Sequence, residues 1–231
     1  MRHLMHTTKR RLARLLGACA LLTVGIGAPA LILAGTAQAA PCGTATAAGT
    51  SCTLTGTLSL TSGSLNLTSP SALGWGATLS GLDQVLVDTT TADQSYLIND
   101  ATGTAIGWHV TAAATTFTTG GGTPSTLANA GTFATNGSAT SITATTAPTA
   151  ACLTGSTCTP PTNTTTYPVA ITTAATAPTA ATIYDTSVGT GLGSNTIGIG
   201  TNPVAWWLSV PSNTLPGTYT STVTLQIIAA P

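Results

Sequence analysis

Between residues 219 and 227 the side chains alternate in character: Tyr219, Ser221, Val223, Leu225 and Ile227 fall on one face, Thr220, Thr222, Thr224 and Gln226 on the other. A period of two describes an extended strand with one face turned inward, and threonine suits the solvent side of such a strand. The same rhythm in shorter form predicts strands at residues 84–87, 96–98, 106–112, 183–184 and 206–210. Leu58-Ser59-Leu60 and Leu65-Asn66-Leu67, separated by Thr61-Ser62-Gly63-Ser64, predict a hairpin. After residue 40 no stretch combines helical periodicity with caps. Short strands joined by Gly, Pro, Ser and Thr turns therefore predict an all-β fold, a single antiparallel β-sandwich (Ig-like or jelly-roll-like) over residues 40–231. Residues 120–178, with Gly120-Gly121-Gly122, Pro160-Pro161 and few large apolar side chains, predict a loop-rich insertion carrying a few edge strands.

Charge is distributed just as unevenly. All five basic residues (Arg2, Lys9, Arg10, Arg11, Arg14) lie in the first 14 positions, there is no glutamate, and the five acids are Asp83, Asp88, Asp93, Asp100 and Asp185. The basic head is followed by an apolar run over residues 15–35 and by Thr36-Ala37-Gln38-Ala39-Ala40, an A-x-A cleavage site. That order predicts a secretory signal peptide over residues 1–39. A lipoprotein box at Leu16-Gly17-Ala18-Cys19 has too short an apolar stretch before it, and Arg10-Arg11 lacks the flanks of a twin-arginine signal. The mature chain then carries five carboxylates, one histidine and no cation, a formal charge of about −5. Without Lys or Arg to neutralise phosphates it has no means of binding nucleic acid or anionic lipid by charge. The final residues, Ile227-Ile228-Ala229-Ala230-Pro231, predict neither a mature transmembrane segment nor a sortase-type wall anchor.

Cys42, Cys52, Cys152 and Cys158 form an even set consistent with export. Three connectivities are possible; the short local loops favour Cys42 with Cys52 and Cys152 with Cys158. Zinc ligation expects C-x₂-C spacing, which is absent. The aspartates at 83, 88, 93 and 100 lack the spacing of a calcium loop, so no metal or cofactor is expected. His109 has no nucleophile elbow or metal-ligand cluster to work with, and no two aspartates single themselves out as a glycosidase pair. The chain reads as a non-enzyme. Asn66, Asn136 and Asn163 open N-x-[ST] triplets of the kind that a Thr-rich chain produces by chance.

Three stretches, residues 56–84, 98–117 and 206–228, stand in the order and spacing of the WxL domain family, which the chain resembles. The most specific matches are Asp100, Gly107 and Trp108 in one strand, and Leu208, Val210, Pro211, Gly217 and Tyr219 in the closing hairpin. Two departures stand out: the first Trp-x-Leu motif reads Trp108-His109-Val110, and the second reads Leu225-Gln226-Ile227, without its tryptophan. The resemblance implies a secreted bacterial surface protein attached non-covalently to the cell wall, with peptidoglycan as the expected ligand.

Residue chemistry allows the same function. Aromatic rings stack on the apolar faces of sugars while Asp and Asn exchange hydrogen bonds with hydroxyls, so the candidate ligand contacts are Trp108, Trp206, Trp207 and Asp100. Trp108, among apolar strand neighbours, also fits a core position. Adjacent strand residues point to opposite faces, so one of Trp206 and Trp207 is expected to face outward. The expectation is an exported surface protein adhering to wall glycan, to other surface proteins or to itself. Its alternative is a structural component that self-assembles through sheet edges left unguarded by charge.

Overall fold

The structure is a computed structural model that describes residues 40–41, 48–49 and 51–229. The predicted leader and the Cys42 half of the Cys42–Cys52 pairing lie outside the described residues. The chain divides into two units, residues 1–58 and 59–231. In the first, β1 (Ala40–Pro41) pairs in parallel with β2 (Cys52–Thr53).

The second unit is all-β and sandwich-like. Its strands are β3 (Leu65–Thr68), β4 (Gln84–Val87), β5 (Tyr96–Asp100), β6 (Trp108–Ala114), β7 (Thr118–Thr119), β8 (Phe133–Asn136), β9 (Ala150–Cys152) and β10 (Val169–Ile171). After these come β11 (Ala181–Asp185), β12 (Gly193–Ile197), β13 (Ala205–Val210), β14 (Tyr219–Thr220) and β15 (Val223–Ala229). They form four antiparallel sheets with strand orders β10-β8-β13-β4, β11-β6-β15, β3-β5-β12-β9 and β14-β7.

All five short strands expected from alternation are present with bounds within two residues of those expected, the one expected at 106–112 starting two residues later as Trp108–Ala114. The closing strand is interrupted. β14 pairs with β7, then Ser221 and Thr222 bond to Thr115, and β15 runs beside β6 with Leu225 opposite Ala112. β15 keeps its period of two, with Val223, Leu225 and Ile227 half-buried.

The predicted hairpin does not form. Leu65–Thr68 pairs with β5 instead, and the ladder continues backwards past Leu65 through Gly63 N–H to Ala101 O (2.8 Å) and Ala101 N–H to Ser64 O (3.2 Å). The chain therefore enters β3 straight, without a turn over residues 61–64, and Leu58 and Leu60 are left exposed.

The stretch at 120–178 is more than loops and edges. β8 lies inside its sheet between β10 and β13, and Phe133 is fully buried. The expected Cys152–Cys158 disulfide closes a short loop leaving β9.

The core centres on two aromatic groups. Trp108 stacks on Tyr184 with centroids 5.8 Å apart, and Phe133 stacks on Trp206 at 5.7 Å while meeting Phe117 and Trp75 edge-on. A register shift between Thr182 and Tyr184 lets β11 turn both Ile183 and Tyr184 inward, which regular alternation would forbid. Gly191, at φ +82°, accepts the Trp108 indole N–H at 3.1 Å. A Cβ there would stand 2.6 Å from that nitrogen, so a glycine is required on both counts.

The Tyr96 hydroxyl is buried without a hydrogen-bond partner among the described residues, and burial pushes its pKa well above the ordinary phenol range. Tyr96→Phe removes an unsatisfied group and keeps the ring. It is expected to raise the stability of the protein by about 1 kcal/mol, readable as a higher midpoint in urea.

Candidate functional site

A prominent concavity of the second unit is an uncharged groove of about 1120 Å³. Alternation explains why it is apolar. Gln84 and Leu86 of β4, Leu208 and Val210 of β13, and Val223 and Leu225 of β15 are every-other-residue pairs whose side chains all turn to the groove. These positions would be core if the sandwich closed over them, yet only Leu208 is buried; Leu86, Val210, Val223 and Leu225 remain half-exposed. β4 and β15 are each the last strand of their sheet, so the groove is flanked by two strands that pair on one side only.

An irregular stretch, residues 69–79, runs along this opening in place of a strand. It is pinned at three points. Gly74 N–H donates to the buried Asp88 carboxylate (2.8 Å), the Trp75 indole N–H to Trp206 O (3.0 Å), and the Gln84 side-chain amide to Thr78 O (3.1 Å). Trp75 is half-buried, its ring edge-on to Phe117 and Phe133. Across the groove Tyr219 is half-buried too, its hydroxyl donating to Leu215 O at 3.0 Å. The remaining walls are largely hydroxyl and backbone, from Ser69, Thr78, Thr218 and Thr220 among others.

Asp88 does more than hold the strap. Its other oxygen accepts the Thr90 N–H at 2.9 Å, and its carbonyl accepts the Gln94 amide. Partial burial, with the Asp88 carboxylate close by, raises the pKa of neighbouring Asp93.

The structure does not bring the four sequence-derived contacts to one surface. Trp108 is fully buried, its indole on Gly191 O. Asp100 is buried, one oxygen accepting both the backbone N–H (3.0 Å) and the hydroxyl (2.7 Å) of Thr102, an Asx turn.

The expectation that one of the paired tryptophans faces outward is corrected: both Trp206 and Trp207 are buried. They do point to opposite faces. Trp206 enters the core, its indole N–H on Asp93 O (3.1 Å), while Trp207 is roofed by the loop after β8, its N–H on Asn136 Oδ1 (3.0 Å) and Ser138 O (3.1 Å). His109 is half-buried on β6, opposite Asp185 in register. Asp83 accepts Ser212 N–H and Asp185 the Thr164 hydroxyl, so these two carboxylates also serve turns and crossings.

Sequence reasoning missed the groove and Trp75. The available signal was an aromatic between two glycines, Gly74-Trp75-Gly76, in an uncharged stretch with no strand rhythm. Among the described residues no group of three or more His, Cys, Asp or Glu could hold a metal ion, and no helix is long and apolar enough to cross a membrane. Comparison with protein-family models, with curated proteins and with solved structures gives no match to this chain.

Proposed function

We propose that this is an exported surface protein of structural type, which associates with copies of itself or with other surface proteins through the groove between β4 and β15. The observation that carries this reading is the open end of the sandwich: half-exposed inner-face side chains beside strands paired on one side only, with no charge among the lining residues. Such edges accept a further strand by main-chain hydrogen bonds, and charge, a common guard against this, is missing here. The oxidising compartment implied by the signal peptide agrees with the Cys152–Cys158 bridge.

A second reading is favoured by Trp75 and Tyr219: two half-buried aromatics amid hydroxyls suit stacking on sugar rings, so the same groove fits the wall glycan implied by the WxL resemblance.

One experiment separates the two. The purified protein is sedimented at several concentrations with and without isolated cell-wall sacculi, alongside Leu79→Lys, which places a cation on the groove rim, and Trp75→Ala. Assembly predicts oligomers that grow with concentration in the absence of sacculi and at least a tenfold weaker association for Leu79→Lys. A monomer that pellets saturably only with sacculi, and loses that retention in Trp75→Ala, overturns assembly in favour of glycan binding.

A further inference from the structure

The stretch just before β3 has the pattern of a strand but, among the described residues, none of its pairing. Over residues 54–61, Leu-Thr-Gly-Thr-Leu-Ser-Leu-Thr, the even positions are Leu54, Gly56, Leu58 and Leu60, and the odd ones are threonine or serine. In extended form the three leucines share one face. That face is uncovered: Leu54 is 85 % exposed and Leu58 and Leu60 are each 82 % exposed. Isolated exposed leucines are ordinary, but three in strand register within eight residues make an apolar strip of the kind that marks an interaction. The strip carries no charge, and neither does any residue lining the groove.

The two features complement each other. The groove has inner-face side chains lacking a covering strand and flanking strands able to pair on one more side; residues 54–61 have a one-sided apolar face and, among the described residues, no strand partner. At about 3.3 Å per residue the stretch extends to about 26 Å, and its eight residues match the seven of β15. The ladder bonds of Gly63 and Ala101 carry the chain straight into β3, and the groove lining begins with Ser69, beyond the far end of that strand. Residues 59–61 could meet the groove of their own molecule only if the chain doubled back at residues 61–64, where no turn is made. A groove on another molecule imposes no such reversal.

We infer that residues 54–61 of one copy enter the groove of a second copy as an added strand, with Leu54, Leu58 and Leu60 facing the half-exposed side chains of β4, β13 and β15. This inference rests on the assembly reading above and names the segment that performs it. Because donor and acceptor are different surfaces, the contact is heterologous and repeats head to tail, producing open chains of copies unless a ring closes.

The test uses the purified protein and the triple variant Leu54→Thr, Leu58→Thr, Leu60→Thr, with near-ultraviolet circular dichroism to confirm that the fold is kept. Sedimentation velocity over a hundredfold concentration range is combined with titration of the variant by two synthetic peptides, one of residues 54–61 and one with its leucines replaced by threonine. The expected result is a concentration-dependent series of oligomers for the unaltered protein, at least a tenfold weaker association for the variant, and saturable one-to-one binding of the leucine peptide only. Oligomers that persist unchanged in the variant overturn the role of residues 54–61 while leaving assembly intact. A monomer at every concentration that still offers the variant's groove to the leucine peptide overturns the exchange between copies, the segment then closing on its own chain. A monomer whose variant binds neither peptide overturns both readings.

Discussion

Trp206→Ala is expected to cost about 3–5 kcal/mol, the range for truncating a fully buried large aromatic. The indole sits in the centre of the four-stranded sheet, stacked on Phe133, and its N–H donates to the carbonyl of Asp93. Truncation leaves a cavity against Phe133, leaves that carbonyl without its donor, and removes the stack that orders Phe133 against Phe117 and Trp75. Set against total stabilities of roughly 5–15 kcal/mol, this is a large fraction of what holds the domain together. For a domain of this size the thermal midpoint is expected to fall by about 10 °C or more, measured by circular dichroism. Trp206→Phe keeps the stack and loses only the hydrogen bond, so it is expected to recover more than half of the loss. Equal loss in both variants would show that the bond to Asp93, and not packing, is what matters.

The second large effect is expected at Asn136, which is fully buried and serves the face of the sheet opposite Trp206. Its side-chain nitrogen lies 2.9–3.2 Å from the carbonyls of Ser141, Ile142 and Ala144, while Oδ1 accepts Ser138 N–H and the Trp207 indole. One amide thus closes the loop that roofs Trp207. Asn136→Ala strands several buried groups at about 1–3 kcal/mol each, for a total of about 3 kcal/mol or more. Asn136→Asp is expected to be worse despite its matching shape, because a carboxylate has no protons for three facing carbonyls and buries a charge beside them. Hydrogen exchange checks the mechanism: amides of residues 137–147 should lose protection before those of β13. A uniform loss of protection would mean that the loop is not an independent lid.

The parts of this fold legible from sequence are those where apolar side chains repeat every second residue. β4, β13 and β15 announce themselves in this way, and so does the inward face of β5. β12 does not, because Gly193-Ser194-Asn195-Thr196-Ile197 is written in turn-forming residues. It becomes an interior strand because β5 and β9 pair on both its sides, and because the Asn195 amide bonds back to Gly191 and Gly193 carbonyls. β8 was hidden in a stretch poor in large side chains, where Phe133 alone supplies the core contact. The hairpin at residues 58–67 was misread because alternation says that a segment is strand-competent and not which strand it meets. The misreading of Trp206 and Trp207 has the same origin: period two assigns their faces correctly, but which face is wet depends on a loop some 70 positions earlier in the chain. The groove was illegible for the converse reason, being made from good core residues that the fold leaves uncovered.

Trp75 differs from the other three tryptophans in one respect with practical weight. Trp108, Trp206 and Trp207 are sealed from solvent, whereas Trp75 stands half-open at the groove. A dissolved quencher such as acrylamide reaches the sealed indoles far less readily, so quenching of the folded protein reports mainly on that one ring. The molecule thus carries a built-in optical probe at the mouth of its groove, able to register the arrival of a strand or a sugar without any label.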